Sequence, residues 1–331
     1  TLRIDNYSYD EECVLIAGNG DLNVKYYKGK FDAYQRTYIV TLKDKNEELS
    51  VPYLYQFFSK YIEHLRKVSI GGIIKYIKLN NLTDAEIPVP PLPTQRAIVA
   101  ELDTLNEILD KKRQQLKELD TLAQSIFYDM FGDPVENEKG WEVKKMGKVC
   151  DSVSYGTSSP ACENGKYKYL RMNNLTYSGY IDLSNVKTIN LPDESYEKYV
   201  VRKDDILFNR TNSRELVGKT ALFNLDEEMI IAGYIIRVRV HQHEVLPVFI
   251  VKYMNTPFIK DYLYNLCKGA VNQANINSKE LQNIPLYVPP LFLQQSFARK
   301  VEAIEKQKNL INASIKEVET LLNATMDKYF G

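Results

Sequence analysis

Residues 87–95 read IPVPPLPTQ and residues 284–295 read IPLYVPPLFLQQ. Each opens a long stretch of interleaved charged and apolar residues, and the stretches end at Phe131-Gly132 and Phe330-Gly331. From Pro90 and Pro289 to those glycines the two copies keep a constant offset of 199 residues with no gap. Gln95/Gln294, Lys117/Lys316, Glu118/Glu317, Thr121/Thr320 and Leu122/Leu321 are identical pairs within it. A proline pair forbids helix where it stands and suits a helix starting just after it; glycine is the usual residue past a helix end. The pattern predicts two long helices, one within 92–132 and one within 291–331.

Apolar positions along these stretches recur in alternating steps of four and three, the heptad pattern of a helix packed along one seam. The first seam runs through Ile98, Leu102, Leu105, Leu109, Leu116, Leu119, Ala123, Ile126 and Met130. The second runs through Phe297, Val301, Ile304, Ile311, Ile315, Val318, Leu322, Thr325 and Tyr329. A helix of this length reaches about 55 Å at 1.5 Å per residue, too far for one domain to cover. The two helices are expected to pack on each other as an antiparallel coiled coil. Lys112 and Lys308 interrupt the seams and are expected to snorkel to water.

The repeat continues upstream through drifting loops. Gly72/Gly269, Asn80/Asn277 and Ile87/Ile284 match at an offset of 197, Pro52/Pro247 at 195, and Val14-Leu15-Ile16 aligns with Ile206-Leu207-Phe208 at 192. Loops tolerate insertion and packed helices do not, so this drift suits a true duplication. Residues 141–192 have no counterpart in the first half, so the first unit is expected to be partial, short of its N-terminal third. The expected organisation is α+β: a strand-rich unit over 1–91, a helix over 92–132, a turn-rich linker over 133–140, a second strand-rich unit over 141–290 and a helix over 291–331. Short β-branched and aromatic runs bounded by Gly, Asn and Asp carry the strand prediction.

The 331 residues carry 43 Lys/Arg and 43 Asp/Glu, so bulk charge does not hold a polyanion here. The distribution is uneven: residues 141–290 carry a net charge of +3 and residues 92–140 a net charge of −4. Cys13, Cys150, Cys162 and Cys267 are far apart and form no C-x-x-C pair, which predicts core thiols in a reducing cytoplasm rather than a zinc site or disulfide frame. No apolar run approaches the ~20 residues of a membrane span. No P-loop occurs, His241 and His243 lack a third ligand at metal spacing, and no Ser/Cys-His arrangement stands out. The Pro-Pro pairs follow Val89 and Val288 rather than the Asn or Asp that an amino-methyltransferase loop would need. No catalytic residue, metal or cofactor is expected.

Polar loops hold the remaining candidates. FNRTNSRELVGK places Asn209, Arg210, Thr211, Asn212, Ser213 and Lys219 after an apolar run, and CKGAVNQANIN places Lys268, Asn272, Gln273 and Asn275 beside a glycine. YLRMNNL adds Arg171, Asn173 and Asn174. In the first unit the candidates are Asn19, Lys25, Lys28, Arg36 and Lys75. Arginine and asparagine read guanine and adenine edges bidentately, and Ser, Thr and Lys commonly hold phosphates.

Two variable units, each ending in a Pro-Pro-Leu helix start and a long helix, resemble the specificity subunits of type I restriction–modification systems. FYDMFGDPVENEKGWEVKKMGKVCDSVSYG and DDILFNRTN are also similar to that family. The resemblance implies two target-recognition domains that each contact one half of a split site in double-stranded DNA, with the helices fixing the separation. A ~55 Å helix matches about 16 base pairs at 3.4 Å each. It further implies docking of methyltransferase subunits, two of them, on the helices, with the restriction and translocase subunits recruited through the complex, and no membrane. The competing expectation is a coiled-coil scaffold that binds protein and no DNA.

Overall fold

The structure is a computed structural model that describes residues 6–43, 48–267 and 273–331. The chain divides into two compact units, residues 1–115 with 310–331, and residues 116–309. Each long helix is divided between the units.

The first unit opens with β1 (Tyr9–Ala17), β2 (Val24–Phe31) and β3 (Thr37–Val40), an antiparallel sheet in the order β2-β1-β3. Helix α1 (Val51–Val68) follows with Pro52 in its first turn, where the missing N–H costs nothing. A single turn, α2 (Asn80–Thr83), leads to α3 (Leu92–Phe131). Val14 and Ile16 of β1 bury against Leu54, Phe57, Phe58 and Leu65 of α1. Tyr53, Ile98 and Leu102 close over Met326 and Phe330, which belong to the end of α8 (Leu291–Phe330).

The second unit holds the last turns of α3, then β4 (Glu142–Lys145), β5 (Cys150–Tyr155), β6 (Tyr167–Leu170), β7 (Lys187–Ile189), α4 (Asp193–Tyr199), β8 (Val200–Val201), β9 (Ile206–Asn209), β10 (Thr211–Asn212), β11 (Thr220–Leu222), β12 (Met229–Ile231) and β13 (Ile235–Val240). Then come α5 (Pro247–Met254), α6 (Pro257–Leu266), β14 (Ala274–Asn275), α7 (Ser278–Gln282), β15 (Pro285–Val288) and the start of α8. Two four-stranded sheets, β11-β9-β13-β5 and β7-β6-β12-β8, are accompanied by two separate two-stranded ribbons, β10-β14 and β15-β4. The main core gathers Phe249, Ile250 and Tyr253 of α5, Ile236 and Val238 of β13, and Phe127, Phe131 and Phe297 of the long helices.

Backbone hydrogen bonds give the repeat an atomic register. Gly18 N donates to Arg36 O and Gly18 O accepts from Ile77 N; Arg210 N donates to Tyr234 O and Arg210 O accepts from Ile276 N, all at 2.7–2.9 Å. Ala17 N reaches Asn23 O as Asn209 N reaches Lys219 O. Strands β1, β2 and β3 thus stand where β9, β11 and β13 stand, and β5 is the added strand of the second unit. Helix α1 corresponds to the pair α5–α6, which Pro257 separates because it cannot continue the helix of α5.

Within each unit the long helices run antiparallel. In the first, Arg113 pairs with Glu319 at 3.0 Å and Tyr329 donates to Glu101 at 2.7 Å. In the second, Lys308 meets Asp120, and Phe297 packs on Phe127 and Phe131. Leu102, Leu105, Leu109, Val301 and Ile304 are buried, and Leu116, Leu119, Ile311, Ile315 and Val318 are half-buried. Two expectations need correction. Lys308 does not snorkel: it is 8% exposed and its ammonium lies 2.6 Å from Asp120 and over the Tyr180 ring. At the end of α3 the buried stripe falls on Phe127 and Phe131, one residue past Ile126 and Met130. A 3.6-residue helix drifts about 20° per heptad against a 3.5 repeat, and over this length the drift moves the buried face by a residue.

Candidate nucleic-acid interface

A cleft of about 550 Å3 opens in the second unit beside the turn that follows β5. Gly156 makes it possible. A Cβ there would lie 2.2 Å from Ile231 O and 2.3 Å from Ala232 O, so only glycine lets the chain pass this close to β12. Thr157 then bonds Ile231 and Gly233 through its backbone, and Thr157 Oγ1 accepts from Ser159 N at 3.1 Å. Tyr169 OH donates to Ser159 O at 3.1 Å and fixes the opposite end of that loop. Ser158, Ser159, Arg171, Asn173, Arg210 and Tyr234 line the opening.

Arginine pairing separates structural from available side chains. Arg202 is held by Glu197 and Glu228, and Arg239 grips Asp205 at 2.6 Å. At the cleft, Arg210 lies over the Tyr155 ring at 4.8 Å, and Arg171 reaches Asn185 O at 3.4 Å. The Nε atoms of both are buried without a hydrogen-bond partner. Among the described residues no carboxylate lies within ion-pair distance of either. Two guanidinium groups with unspent donors on one polar opening form a site for an anionic or edge-on acceptor.

The structure brings two predicted segments together. Thr211 and Asn212 pair with Asn275 and Ala274 as the β10-β14 ribbon, and Thr211 Oγ1 donates to Asn275 Oδ1 at 2.9 Å. Asn275 and Gln273 are exposed, and Asn212 Oδ1 accepts from Ser213 N at 2.9 Å. Arg210 immediately precedes the ribbon, so the ribbon and the cleft share one edge. Lys219 is elsewhere, its ammonium over the Tyr177 ring at 5.0 Å. Lys268 and Asn272 lie outside the described residues.

Two asparagines need correction. Asn174 is 2% exposed and spends its amide on Arg171 N, Asp182 O and Asn185 O, which makes it a turn residue. Asn209 is fully buried at the end of β9, with neither amide atom paired and no route to a base edge.

In the first unit a second cleft, of about 440 Å3, is lined by Gly18, Gln35, Arg36, Tyr38 and Tyr76. Of the predicted residues Arg36 lines it; Asn19 bridges through its backbone to Tyr76, and Gly20 N donates to Lys75 O at 2.8 Å, which sets Asn19 and Lys75 next to the lining residues in the chain. Lys28 is tied to Glu12 at 3.2 Å on the β1-β2 ribbon, and Lys25 lines a separate dent with Asp32 and Tyr34. Sequence reasoning missed the SYGTSSP segment, 154–160, as a cleft wall. Its signal was a glycine followed by a Thr-Ser-Ser run directly after a strand.

Among the described residues no helix is long and apolar enough to cross a membrane, and no group of three or more His, Cys, Asp or Glu side chains is placed to hold a metal.

The chain thus combines a repeated α+β unit, long helices paired within each unit, and a polar, cation-bearing cleft. The profile described as "Type I restriction modification DNA specificity domain" matches residues 1–120 and 138–320, and the chain belongs to that family. It is 24% identical over 370 residues to the EcoDI specificity subunit of Escherichia coli, covering 99% of this chain and 79% of that one. Against the EcoKI specificity subunit of E. coli K12 the identity is 24%, covering 82% and 62%. Against the MjaVIII specificity subunit of Methanocaldococcus jannaschii it is 25%, covering 95% and 76%. The fold is shared with the crystal structure of a type I restriction-modification S subunit from M. genitalium (TM-score 0.58, 16% identity, 99% of this chain and 85% of that one). It is shared too with a chain from a structure on complex assembly of the type I R-M system (TM-score 0.55, 22% identity, 96% and 81%).

Proposed function

We propose that this chain is the sequence-reading, non-catalytic subunit of a cytoplasmic type I restriction–modification complex. Its second unit reads double-stranded DNA with Arg171, Asn173, Arg210, Gln273 and Asn275, and its first unit with Asn19, Arg36 and Lys75. The paired helices dock two methyltransferase subunits, and through them the restriction and translocase subunits. The observation that carries the reading is the pair of arginines without carboxylate partners on one cleft. Each can form two parallel hydrogen bonds to guanine O6 and N7, or hold a phosphate. With no bulk positive charge to rely on, tight binding awaits partner subunits closing around the duplex.

The test is co-expression with the cognate methyltransferase subunit, followed by genome-wide methylation mapping and a gel shift of the purified complex on a pool of duplexes. A split methylated sequence that the complex also selects from the pool supports the reading. Absence of DNA binding by the assembled complex rejects it in favour of a protein-only scaffold.

A further inference from the structure

The first unit carries an apolar projection with no counterpart in its core. Ile70 and Tyr76 close a five-residue loop by two backbone hydrogen bonds, of 3.0 and 2.8 Å. Gly71 takes φ +118°, and a Cβ there would sit 2.5 Å from Ile74 O, so the tight return depends on glycine. At the tip Ile73 is 104% exposed and Ile74 60% exposed. Two adjacent water-facing isoleucines held on a closed hairpin form a small exposed apolar point.

Two observations bear on what such a point could contact. First, the hydrogen bonds that equate Ile77 with Ile276 also equate the Asn19–Tyr76 bridge with Thr211–Asn275, which sets Lys75 on Ala274 and Ile74 on Gln273. The isoleucine tip therefore occupies, in the first unit, the place of an exposed polar residue proposed to read DNA in the second. It also leads straight into Lys75 and Tyr76 beside the first-unit cleft. Second, residues 64–83 contain Arg66, Lys67, Lys75 and Lys78 and no Asp or Glu. An apolar tip whose flanking sequence carries cations, on the edge proposed to meet nucleic acid, has the chemistry of a side-chain wedge, whose cations hold phosphates while aliphatic groups part the stack.

We propose that Ile73 and Ile74 insert between adjacent base pairs of the target duplex from the minor-groove side and kink it at the half-site read by the first unit. This inference rests on the proposed DNA-reading function. It assigns the first unit recognition through deformability of the DNA, where the second unit uses polar contacts.

The experiment uses the complex purified with its cognate methyltransferase subunits and the target found by methylation mapping. The duplex carries 2-aminopurine at successive steps of the half-site, and a donor and acceptor dye at its ends. The wild-type complex brightens 2-aminopurine at one step and shortens the end-to-end distance. Ile73→Ala with Ile74→Ala abolishes both signals and weakens specific binding about tenfold, consistent with the apolar area removed. Ile73→Leu with Ile74→Leu restores them. Both side chains are exposed, so the alanine variant is expected to fold, and circular dichroism verifies it. If the alanine variant keeps the bend and the brightening, the wedge is overturned while the DNA-reading function stands. If instead it loses its methyltransferase subunits during purification, the tip is a protein-docking surface and the wedge is overturned. If the wild-type complex selects no DNA sequence, the function itself falls, and the wedge with it.

Discussion

Gln95 and Gln294 make the same set of hydrogen bonds, each in its own unit. Gln95 Oε1 accepts from Ser50 N at 3.0 Å, and its Nε2 donates to Glu48 O and to Pro90 O. Gln294 Oε1 accepts from Leu246 N at 2.8 Å, and its Nε2 donates to Glu244 O and to Pro289 O. Both side chains are fully buried. Each glutamine ties the first turn of a long helix to the loop that opens the packed helix of its unit.

Replacing either glutamine removes three hydrogen bonds to backbone groups of the helix entry and the loop beside it. Gln294→Ala is expected to lower unfolding stability by about 3 kcal/mol, on a cost of about 1–3 kcal/mol per unsatisfied buried group offset by relaxation. Gln95→Ala acts on the other unit through different partners, so the double variant should equal the sum within about 0.5 kcal/mol. Urea midpoints measure both.

The lysine at the helix seam makes a different prediction. Lys308→Ala removes a buried ammonium and strands Asp120, with an expected loss of about 2 kcal/mol, reduced because Asp120 is partly exposed. Converting both residues to leucine should recover most of it, since a buried pair is often no better than apolar side chains of similar size. Recovery below the single variant would show that the pair stabilises on its own account.

Arg210→Ala and Arg171→Ala should each weaken DNA binding by about 1–3 kcal/mol. A base contact shows as relaxed preference at one position of the target. A phosphate contact shows as uniform weakening and a shallower salt dependence. Arg202→Ala, whose guanidinium is spent on Glu197 and Glu228, should leave binding unchanged. Fluorescence anisotropy across a salt series distinguishes these outcomes.

Lys260 supplies a pH dependence. Burial, with Lys219 nearby adding to it, pushes its ammonium down to about 7, and its Nζ donates to Gly218 O at 2.6 Å. Between pH 7 and the ordinary lysine range the unfolded chain binds this proton and the folded chain does not, so stability rises with pH across that window. The slope is at most about 1.4 kcal/mol per pH unit, and below pH 7 the contribution is flat. Comparing wild type with Lys260→Met at pH 7 and pH 10 isolates it from the tyrosines. Equal slopes in the two proteins would refute the assignment.

Much of the fold was legible because the repeat is linear. Pro90/Pro289 and Phe131/Phe330 mark the long helices by local chemistry that needs no tertiary context. The seam was legible in its middle, at Leu102, Leu105, Val301 and Ile304, and slipped at Phe127, where accumulated helical drift decides the face. Lys308 was misread because its partner Asp120 lies 188 positions away. The candidate site was legible by residue type and less so by residue. Asn174 and Asn209 carry the same amide as Asn173 and Asn275, and only the strand end and the turn that hold them show that they are enclosed. The Gly156 wall left only a faint signal, a glycine before a Thr-Ser-Ser run, because the need for that glycine lies in the carbonyls of Ile231 and Ala232.

The backbone position that carries arginine in one unit, at Arg210, carries glycine in the other, at Gly18. A molecule built by duplication has thus lost the chemical equality of its halves while keeping their scaffold. On the proposed function, two halves that differ at equivalent positions would read different half-sites, and the address they spell would not be its own reverse complement. Such an address would give the proposed complex a single orientation on its target, with the two strands chemically distinguishable.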